Sequence, residues 1–351
     1  MKQKAFWLLL WLTAALHGQK YANAFLDIGV DAASLGMAGN VTATVDNLNA
    51  AYWNPAGLMQ MQGQWLSLMH ARYWGGMAHM HFLGYGRREP HQALAVSLLR
   101  FGVDNIMNTT HLIDEEGNVD YNRITYFSAA DYALLISYAR PLPKKNLYAG
   151  LTAKILYRHI GDFASGYGLG FDAGLQYVRP RWKAGLSLRD ISTTFSFWHF
   201  DRQRLEEIAA AIPGQNQSAP STYEVRYPSV HAGVARRWTV RQNYHLWLEG
   251  DIHTWFDKRY ALVRTSFLSL TPGLSLQGDY KNKVFVRAGF DRLYRSPSFG
   301  SMHWHIRPAA GLGIRFKYLQ LDYALNDSAA SGRLSHFFSL LVDMQIFKAK
   351  Q

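Results

Sequence analysis

The stretch Tyr167-Gly-Leu-Gly-Phe-Asp-Ala-Gly-Leu-Gln-Tyr177 places a large apolar side chain at most alternate positions, with small or polar ones between. Successive side chains of a β-strand point to opposite faces, so this period of two predicts a strand with one apolar face and one polar face. Its length matches the roughly 9–11 residues with which a tilted strand crosses a bilayer. The stretch therefore indicates a membrane-barrel strand whose apolar face contacts lipid and whose polar face lines the interior.

The same alternation recurs along the chain. Between residues 64 and 347 we identify about fourteen such runs, an even number being typical of single-chain bacterial barrels. The last run, His336–Phe347, ends in an aromatic residue, as expected of an outer-membrane assembly signal. The alternative is a soluble β-sandwich or lipocalin-like barrel, whose strands would be shorter and whose outward face would be the charged one. The sequence thus predicts an all-β fold: a transmembrane antiparallel outer-membrane β-barrel of about fourteen strands over residues 64–347.

The composition supports an exported membrane protein. Charged residues make up only 18% of the chain, whereas about 25% is usual for a soluble domain. The chain has no Cys, which excludes disulfide scaffolds, zinc–thiolate sites, thiol nucleophiles and a lipoprotein anchor. Lys and Arg number 37 against 25 Asp and Glu, but they are spread along loop regions. This distribution favours contact with lipopolysaccharide phosphates and argues against nucleic acid as a partner.

The two ends of the chain carry targeting features. Lys2 and Lys4 precede the apolar run Ala5–Leu16, which is too short to span a bilayer as a helix. We therefore expect a signal peptide over residues 1–18, with a retained membrane anchor as the alternative. At the other end, residues 348–351 form a short tail after the last strand. Export and a barrel together predict the outer membrane of a Gram-negative bacterium.

The predicted inward faces carry charges of both signs. Seven are basic and seven are acidic, a balance that favours ion-pair networks in a filled interior over a wide pore of one sign. They are Lys154, Arg158, Asp172, Lys183, Arg189, Glu249, Asp251, Asp279, Arg287, Asp291, Arg307, Arg315, Asp322 and Asp343.

No catalytic constellation is recognisable, so the protein is not expected to be an enzyme. Two histidine pairs, His79/His81 and His303/His305, have the spacing that places both rings on one strand face. Ordinary hydrogen-bonded histidines explain them, and we predict neither a metal site nor a cofactor.

One long segment interrupts the alternation. Residues 194–228 are predicted as an extracellular loop that contains a short helix beginning at Asp201 and ending before Pro213. This loop is the best candidate for a partner-binding surface, with a disordered loop as the alternative.

Residues 19–63 precede the barrel and do not alternate. They are rich in small residues, which allow close backbone packing, and Asn54-Pro55 favours a turn. We expect this segment to fold back and plug the barrel. The residues that we assign to the plug motif are Trp53, Asn54, Pro55, Ala56 and Gly57.

This segment resembles the N-terminal signature of the PorV/PorQ family of Bacteroidota outer-membrane proteins. The resemblance lies in Phe25–Val30, in Ala33–Met37 and in Ala51-Tyr-Trp-Asn-Pro-Ala-Gly-Leu58, and continues in Leu321–Leu325 and His336–Leu340. It implies membership of the FadL-like superfamily, with an Asn-Pro-Ala element in a plug and a fourteen-stranded barrel.

The resemblance also implies an accessory role. A PorV-like protein associates with the large translocon barrel of the type IX secretion system, receives the C-terminal signal domain of secreted cargo and passes the cargo on. The alternatives are a FadL-like transporter of hydrophobic small molecules, and a structural subunit of another outer-membrane assembly such as the barrel-insertion machinery.

Overall fold

The chain is described by a computed structural model that covers residues 23–113, 117–211, 222–298, 301–327 and 334–347. The expected signal peptide (1–18) and tail (348–351) lie outside these residues, as do the first residues of the N-terminal segment (19–22). Among the residues described, no helix has the length and hydropathy that a bilayer crossing needs.

The strands form one continuous antiparallel sheet. In chain order they are β1 (Gln64–Tyr73), β2 (Ala78–Glu89), β3 (Gln92–Asn108), β4 (Thr125–Pro141), β5 (Leu147–Ile160), β6 (Ala164–Val178), β7 (Trp182–Arg189), β8 (Thr194–Phe200), β9 (Tyr223–Arg226), β10 (Ser229–Arg241), β11 (Tyr244–Trp255), β12 (Val263–Arg264), β13 (Ser269–Tyr280), β14 (Val284–Ser298), β15 (Ser301–Arg315), β16 (Leu319–Asn326) and β17 (Ser335–Asp343).

The sheet closes into a barrel because β1 pairs with both β2 and β17. The 17 strand segments make a 14-stranded barrel. β7 and β8 both pair with β6 and together form one interrupted strand. β10 pairs with β7 and β9 pairs with β8, so β9 and β10 form the neighbouring interrupted strand. β12 is a two-residue segment that pairs with β13. The predicted strand number and the all-β barrel class are confirmed.

The outward face is apolar, as the alternation predicts. On β6, Tyr167, Leu169 and Phe171 are exposed, whereas Asp172 and Gln176 are buried inside. An exposed apolar band around a closed barrel is the surface that a lipid bilayer covers.

The interruption of β7–β8 corrects the predicted loop of residues 194–228. Thr194–Phe200 and Tyr223–Arg226 are strand residues, so the connection between strands is shorter than predicted. Asp190 and Thr193 have positive φ angles of 54° and 59°. Odd-numbered residues point inward before this break and even-numbered residues point inward after it. Because the alternation changes phase at the break, a single period of two does not identify the second half of this strand. The predicted helix lies inside the connection, over Arg202–Ala211, and Asp201 accepts a hydrogen bond from the Arg204 backbone N–H at 3.1 Å.

The last strand is also shorter than predicted. It ends at Asp343, and Met344–Phe347 form a 3₁₀ turn. Asp343 pairs with Trp65 at the start of β1, so residues beyond it have no neighbouring strand. The Asp343 carboxylate instead accepts a hydrogen bond from the Gln345 backbone N–H at 3.0 Å.

The N-terminal segment lies inside the barrel. It contains a 3₁₀ turn (Ala24–Asp27), two single-turn helices (Ala32–Leu35 and Ala50–Trp53) and a longer 3₁₀ stretch (Pro55–Gln60). The helix Ala32–Leu35 packs against β15, β16 and β17, and the stretch Pro55–Gln60 packs against β3 to β6. Its apolar side chains form the main hydrophobic core with inward residues of the early and last strands.

The lengths of the connections orient the barrel. Short turns such as 179–181 and 281–283 lie at one end, and the longer connections 109–124, 201–222 and 256–268 lie at the other. Outer-membrane barrels carry short turns on the periplasmic side and long loops outside, so the long-loop end is extracellular.

Candidate functional site

The residues assigned to the plug motif are buried within the barrel. Asn54 makes hydrogen bonds in three directions: its amide nitrogen donates to the carbonyl oxygens of Thr42 at 2.8 Å and Leu175 at 3.1 Å, and its Oδ1 accepts from the Ala56 backbone N–H at 3.3 Å. The Trp53 indole N–H donates to the Val30 carbonyl oxygen at 3.0 Å. Asn54 therefore ties two turns of the N-terminal segment to the wall at β6.

Glycines in the wall make room for this segment. A Cβ on Gly174 would lie 2.0 Å from Asn54 Oδ1, and one on Gly150 would lie 2.4 Å from the Pro55 carbonyl carbon. Gly57 has the same role inside the segment, since its Cβ would lie 2.4 Å from the Val45 carbonyl oxygen. At these positions a larger residue would collide with backbone or with the buried Asn54 amide.

A network of ion pairs joins the N-terminal segment to the interrupted strand. Lys154 Nζ donates to Asp172 at 2.6 Å and also to Asp190, at the break between β7 and β8. Arg226 bridges Asp190 and Asp27 with contacts of 2.5 Å each. All five side chains are largely shielded from solvent, so each charge depends on its partners.

The same network reaches an extracellular loop. Arg259, in the connection after β11, contacts Asp27 at 3.0 Å and Asp257 at 2.7 Å. Burial alone would raise the pKa of the Asp27 carboxyl, but the guanidinium groups of Arg226 and Arg259 outweigh it and hold that pKa well below its ordinary value. Asp27 is therefore an anionic junction between the N-terminal segment, the wall and the loop.

An extracellular pocket of about 600 Å³ lies above Asp27. Aromatic rings and arginines make up most of its lining. The lining residues are Ala24, Phe25, Asp27, Ile28, Tyr73, Trp74, Phe101, Asp131, Arg158, Trp255, Arg259, Tyr260, Thr271, Arg292, Tyr294, His305, Ile306 and Arg307. The pocket is open to the outside. The N-terminal turn Ala24–Asp27 forms part of its floor and limits it on the inner side.

A second cleft of about 450 Å³ lies at the periplasmic end. Its charged side chains rest on aromatic rings: Lys183 Nζ lies 5.1 Å from the ring centre of Trp247, and Arg315 Cζ lies 5.0 Å from that of Phe285. The two cavities have different linings, one aromatic and arginine-rich, the other mainly polar. The buried N-terminal segment separates them.

Ten of the fourteen predicted interior charges are buried inside the barrel, and six of these ten form ion pairs with acidic or basic side chains. Arg287 contacts Asp322 at 2.7 Å, and Arg307 contacts Asp291. Arg315 is exposed toward the periplasmic cleft, and Arg158, Arg307 and Asp343 are partly buried. Sequence reasoning missed Asp27, Asp190, Arg226 and Arg259. They lie in the N-terminal segment, at the strand break, in the presumed loop and in an extracellular connection, where alternation gives no signal.

Of the two histidine pairs, only His305 lines the extracellular pocket. His79 and His81 lie beside His70, with 3.4 Å between the Nδ1 atoms of His70 and His81. His303 contacts Ser301, and His305 contacts Ser296 at 2.8 Å. Within the described ranges, no group of three or more His, Asp or Glu side chains has the arrangement of a metal site.

Solved structures similar to this chain are barrels of one kind. The monoaromatic hydrocarbon channel CymD has 14% identity and a TM-score of 0.57, with 90% of this chain and 98% of that chain covered. The Ralstonia pickettii toluene transporter TbuX has 13% identity and a TM-score of 0.53, with the same coverage. The Pseudomonas putida toluene transporter TodX has 10% identity and a TM-score of 0.51, again with 90% and 98% covered.

No family model and no curated protein sequence matches the chain. At such identities the structural likeness shows the fold alone, a closed outer-membrane β-barrel of 14 strands. The barrel fold also confirms the predicted location in the outer membrane of a Gram-negative bacterium.

Proposed function

We propose that the protein binds hydrophobic or amphipathic small molecules in the extracellular pocket and passes them across the outer membrane. The observation that carries this proposal is the pocket itself: about 600 Å³ with aromatic walls, open to the outside and floored by the N-terminal segment. Concave, aromatic-lined cavities of this size are typical of small-molecule sites. CymD is a monoaromatic hydrocarbon channel, and TbuX and TodX are toluene transporters, which supports the same function here.

Passage requires the floor of the pocket to move. The turn Ala24–Asp27 is held by Arg226 and Arg259, and Arg226 also holds Asp190 at the strand break. A ligand that displaced this turn would therefore also disturb the wall beside β6. In the closed arrangement Ile191 keeps one backbone hydrogen bond to Phe171 of β6, at 2.9 Å. We infer that the N-terminal segment is a plug and that the strand break is the part of the wall that yields.

A binding experiment tests the pocket. Ala24 is exposed into the cavity, so Ala24→Trp places an indole ring in the ligand space without replacing a buried group. Ala310→Trp is the matched control, because Ala310 is exposed on the outer face of β15 and does not line the pocket. Toluene should bind wild type and the control in phosphatidylcholine nanodiscs, measured by calorimetry, and A24W should bind none. Equal heats from all three proteins would refute the pocket as the binding site.

A second candidate function is a PorV-like accessory subunit of a type IX secretion machine. Two observations favour it: the resemblance of residues 25–58 to the PorV/PorQ signature, and large apolar side chains exposed on extracellular connections. Tyr121 is 73% exposed and Phe267 is 67% exposed, and both lie in connections between strands. Clustered apolar residues in water usually mark protein contacts.

This second function would give the protein partners. We propose a translocon barrel or another envelope assembly, the C-terminal domains of secreted cargo, and lipopolysaccharide around the rim. Purification of the tagged protein from its native membrane in mild detergent, followed by mass spectrometry, tests it. Co-purification of a translocon barrel or cargo would support the accessory role. A protein that purifies without partners would refute the accessory role, and the transporter function would remain.

A further inference from the structure

We propose that the extracellular pocket selects organic anions that carry an aromatic ring, with Arg292 binding the anionic group. This inference rests on the proposed function, since it names the class of molecule that the same pocket takes.

A β-bulge aims Arg292 into the pocket. The register between β14 and β15 shifts between Asp291 and Tyr294, and Arg292 has a positive φ of 54°. Before the bulge, the odd-numbered residues Phe285, Arg287 and Asp291 are buried inside the barrel. After it, Arg292 and Tyr294 both line the pocket. Bulges commonly redirect side chains in this way beside binding sites.

Among the residues that the structure describes, none offers an acceptor within hydrogen-bond distance of the Arg292 guanidinium. Its Nε lies 3.9 Å from the Asp291 carboxylate, beyond hydrogen-bond distance. That carboxylate already accepts two hydrogen bonds from Arg307, one of them at 2.6 Å. The Arg292 side chain is 40% exposed, so its guanidinium is available to a molecule in the pocket.

The carboxylates that line the pocket are already paired. Asp131 accepts a hydrogen bond from Arg158 at 2.6 Å, and Asp27 accepts from Arg226 and Arg259. A cationic ligand would therefore have no unpaired carboxylate to bind among these residues, and the arginines of the lining would repel it. A neutral hydrocarbon that filled the pocket would remove water from Arg292 and offer no acceptor in return, which is costly for a charged group. An anion avoids this cost and gains a charge-assisted hydrogen bond.

The walls supply the ring contacts. Tyr294 stacks between Tyr260 and His305, with ring-centre distances of 6.0 and 4.9 Å. On the opposite side Trp74 and Phe101 meet edge to face at 6.4 Å. Planar side chains on both sides favour a flat, aromatic ligand over a branched aliphatic one.

Three probes that share one aromatic ring and differ in charge separate the possibilities: benzoate, toluene and benzylammonium. Calorimetry in phosphatidylcholine nanodiscs, with A24W as the blank for lipid partitioning, should show benzoate binding at least about tenfold more tightly than the other two. Arg292→Gln should remove that tenfold preference, because benzoate loses its charged partner and toluene no longer has to remove water from a guanidinium. Arg295→Gln, which removes the same charge from a neighbouring residue resting on the Trp304 ring, should change nothing.

A wild-type measurement makes the test independent of the variants' folding. Raising the salt concentration should weaken benzoate binding and leave toluene binding unaffected, because salt screens only charged pairs. Equal affinity for benzoate and toluene, or full benzoate affinity in Arg292→Gln, would overturn the anion preference while the proposed function stands. If wild type and A24W give the same heats with every probe, both the preference and the proposed function fail.

Discussion

Asp27 Oδ2 accepts a hydrogen bond of 3.0 Å from Arg259 Nη1. This contact joins a turn of the N-terminal segment to an extracellular connection that follows β11. The other oxygen of Asp27 contacts Arg226, which contacts Asp190 at the strand break. One carboxylate thus links the three parts of the molecule that a passing ligand would have to move.

Asp27→Asn should destabilise the barrel strongly. The change removes one of the two carboxylates that contact Arg226, which is 4% exposed, and it also takes the Asp27 contact from Arg259. Breaking a buried pair costs about 3 kcal/mol. The heat-modifiable shift on electrophoresis, followed against temperature, measures this. Glu89→Gln is the control, since the Arg87–Glu89 pair is exposed and worth at most about 1 kcal/mol. Equal midpoints for both variants would show that the Asp27 junction contributes little.

Gly174→Ala should displace the N-terminal segment from β6. The added methyl would lie 2.0 Å from Asn54 Oδ1, and relieving such overpacking costs about 1–3 kcal/mol. Gly278→Ala is the matched control, because its nearest neighbour atom would be 3.9 Å away. Cross-linking of a cysteine in the N-terminal segment to one on β6 should fall in the first variant only. Unchanged cross-linking in G174A would contradict the close approach.

Deletion of residues 23–61 should open the barrel. The segment fills the space between the extracellular pocket and the periplasmic cleft, so its removal should raise single-channel conductance in planar bilayers. Asn54→Leu removes three hydrogen bonds of the segment. This variant should give openings that are brief and less frequent than those of the deletion. Conductance equal to that of wild type in the deletion would count against a plug.

Deletion of residues 202–221 tests the accessory function. These residues lie between β8 and β9, so the deletion leaves both strands intact. If the connection captures partners, fewer proteins should co-purify while the heat-modifiable shift of the barrel is retained. Undiminished co-purification would exclude this connection as the partner surface and leave the exposed residues near Phe267 as the alternative.

The barrel was predictable from sequence because a strand in lipid alternates apolar side chains on its outer face with small or polar ones on its inner face. Tyr167–Tyr177 shows it clearly, with aromatic and aliphatic side chains outside and Asp172 and Gln176 inside. The rule fails at Asp190–Thr193, where two residues of positive φ reverse the phase, and beyond Asp343, where the neighbouring strand ends. The Trp53–Gly57 stretch is buried inside the barrel, and its role as a plug motif stays a prediction.

The pocket was not predictable in the same way. Its walls come from Tyr73, Phe101, Trp255 and Tyr294, which closure of the barrel brings together from four strands. Arg292 is directed by a bulge, and Arg259 comes from a connection. Neither position carries a periodic signal, and only the assembled barrel shows that they face one cavity.

Uptake by whole cells tests the central claim most directly. A Gram-negative host would produce wild type, A24W or A310W, and the initial rate of entry of radiolabelled toluene and benzoate would be measured. Passage through the extracellular pocket predicts faster entry with wild type and A310W than with empty vector, and the empty-vector rate with A24W. Equal rates with wild type and A24W would show that molecules do not enter through this pocket.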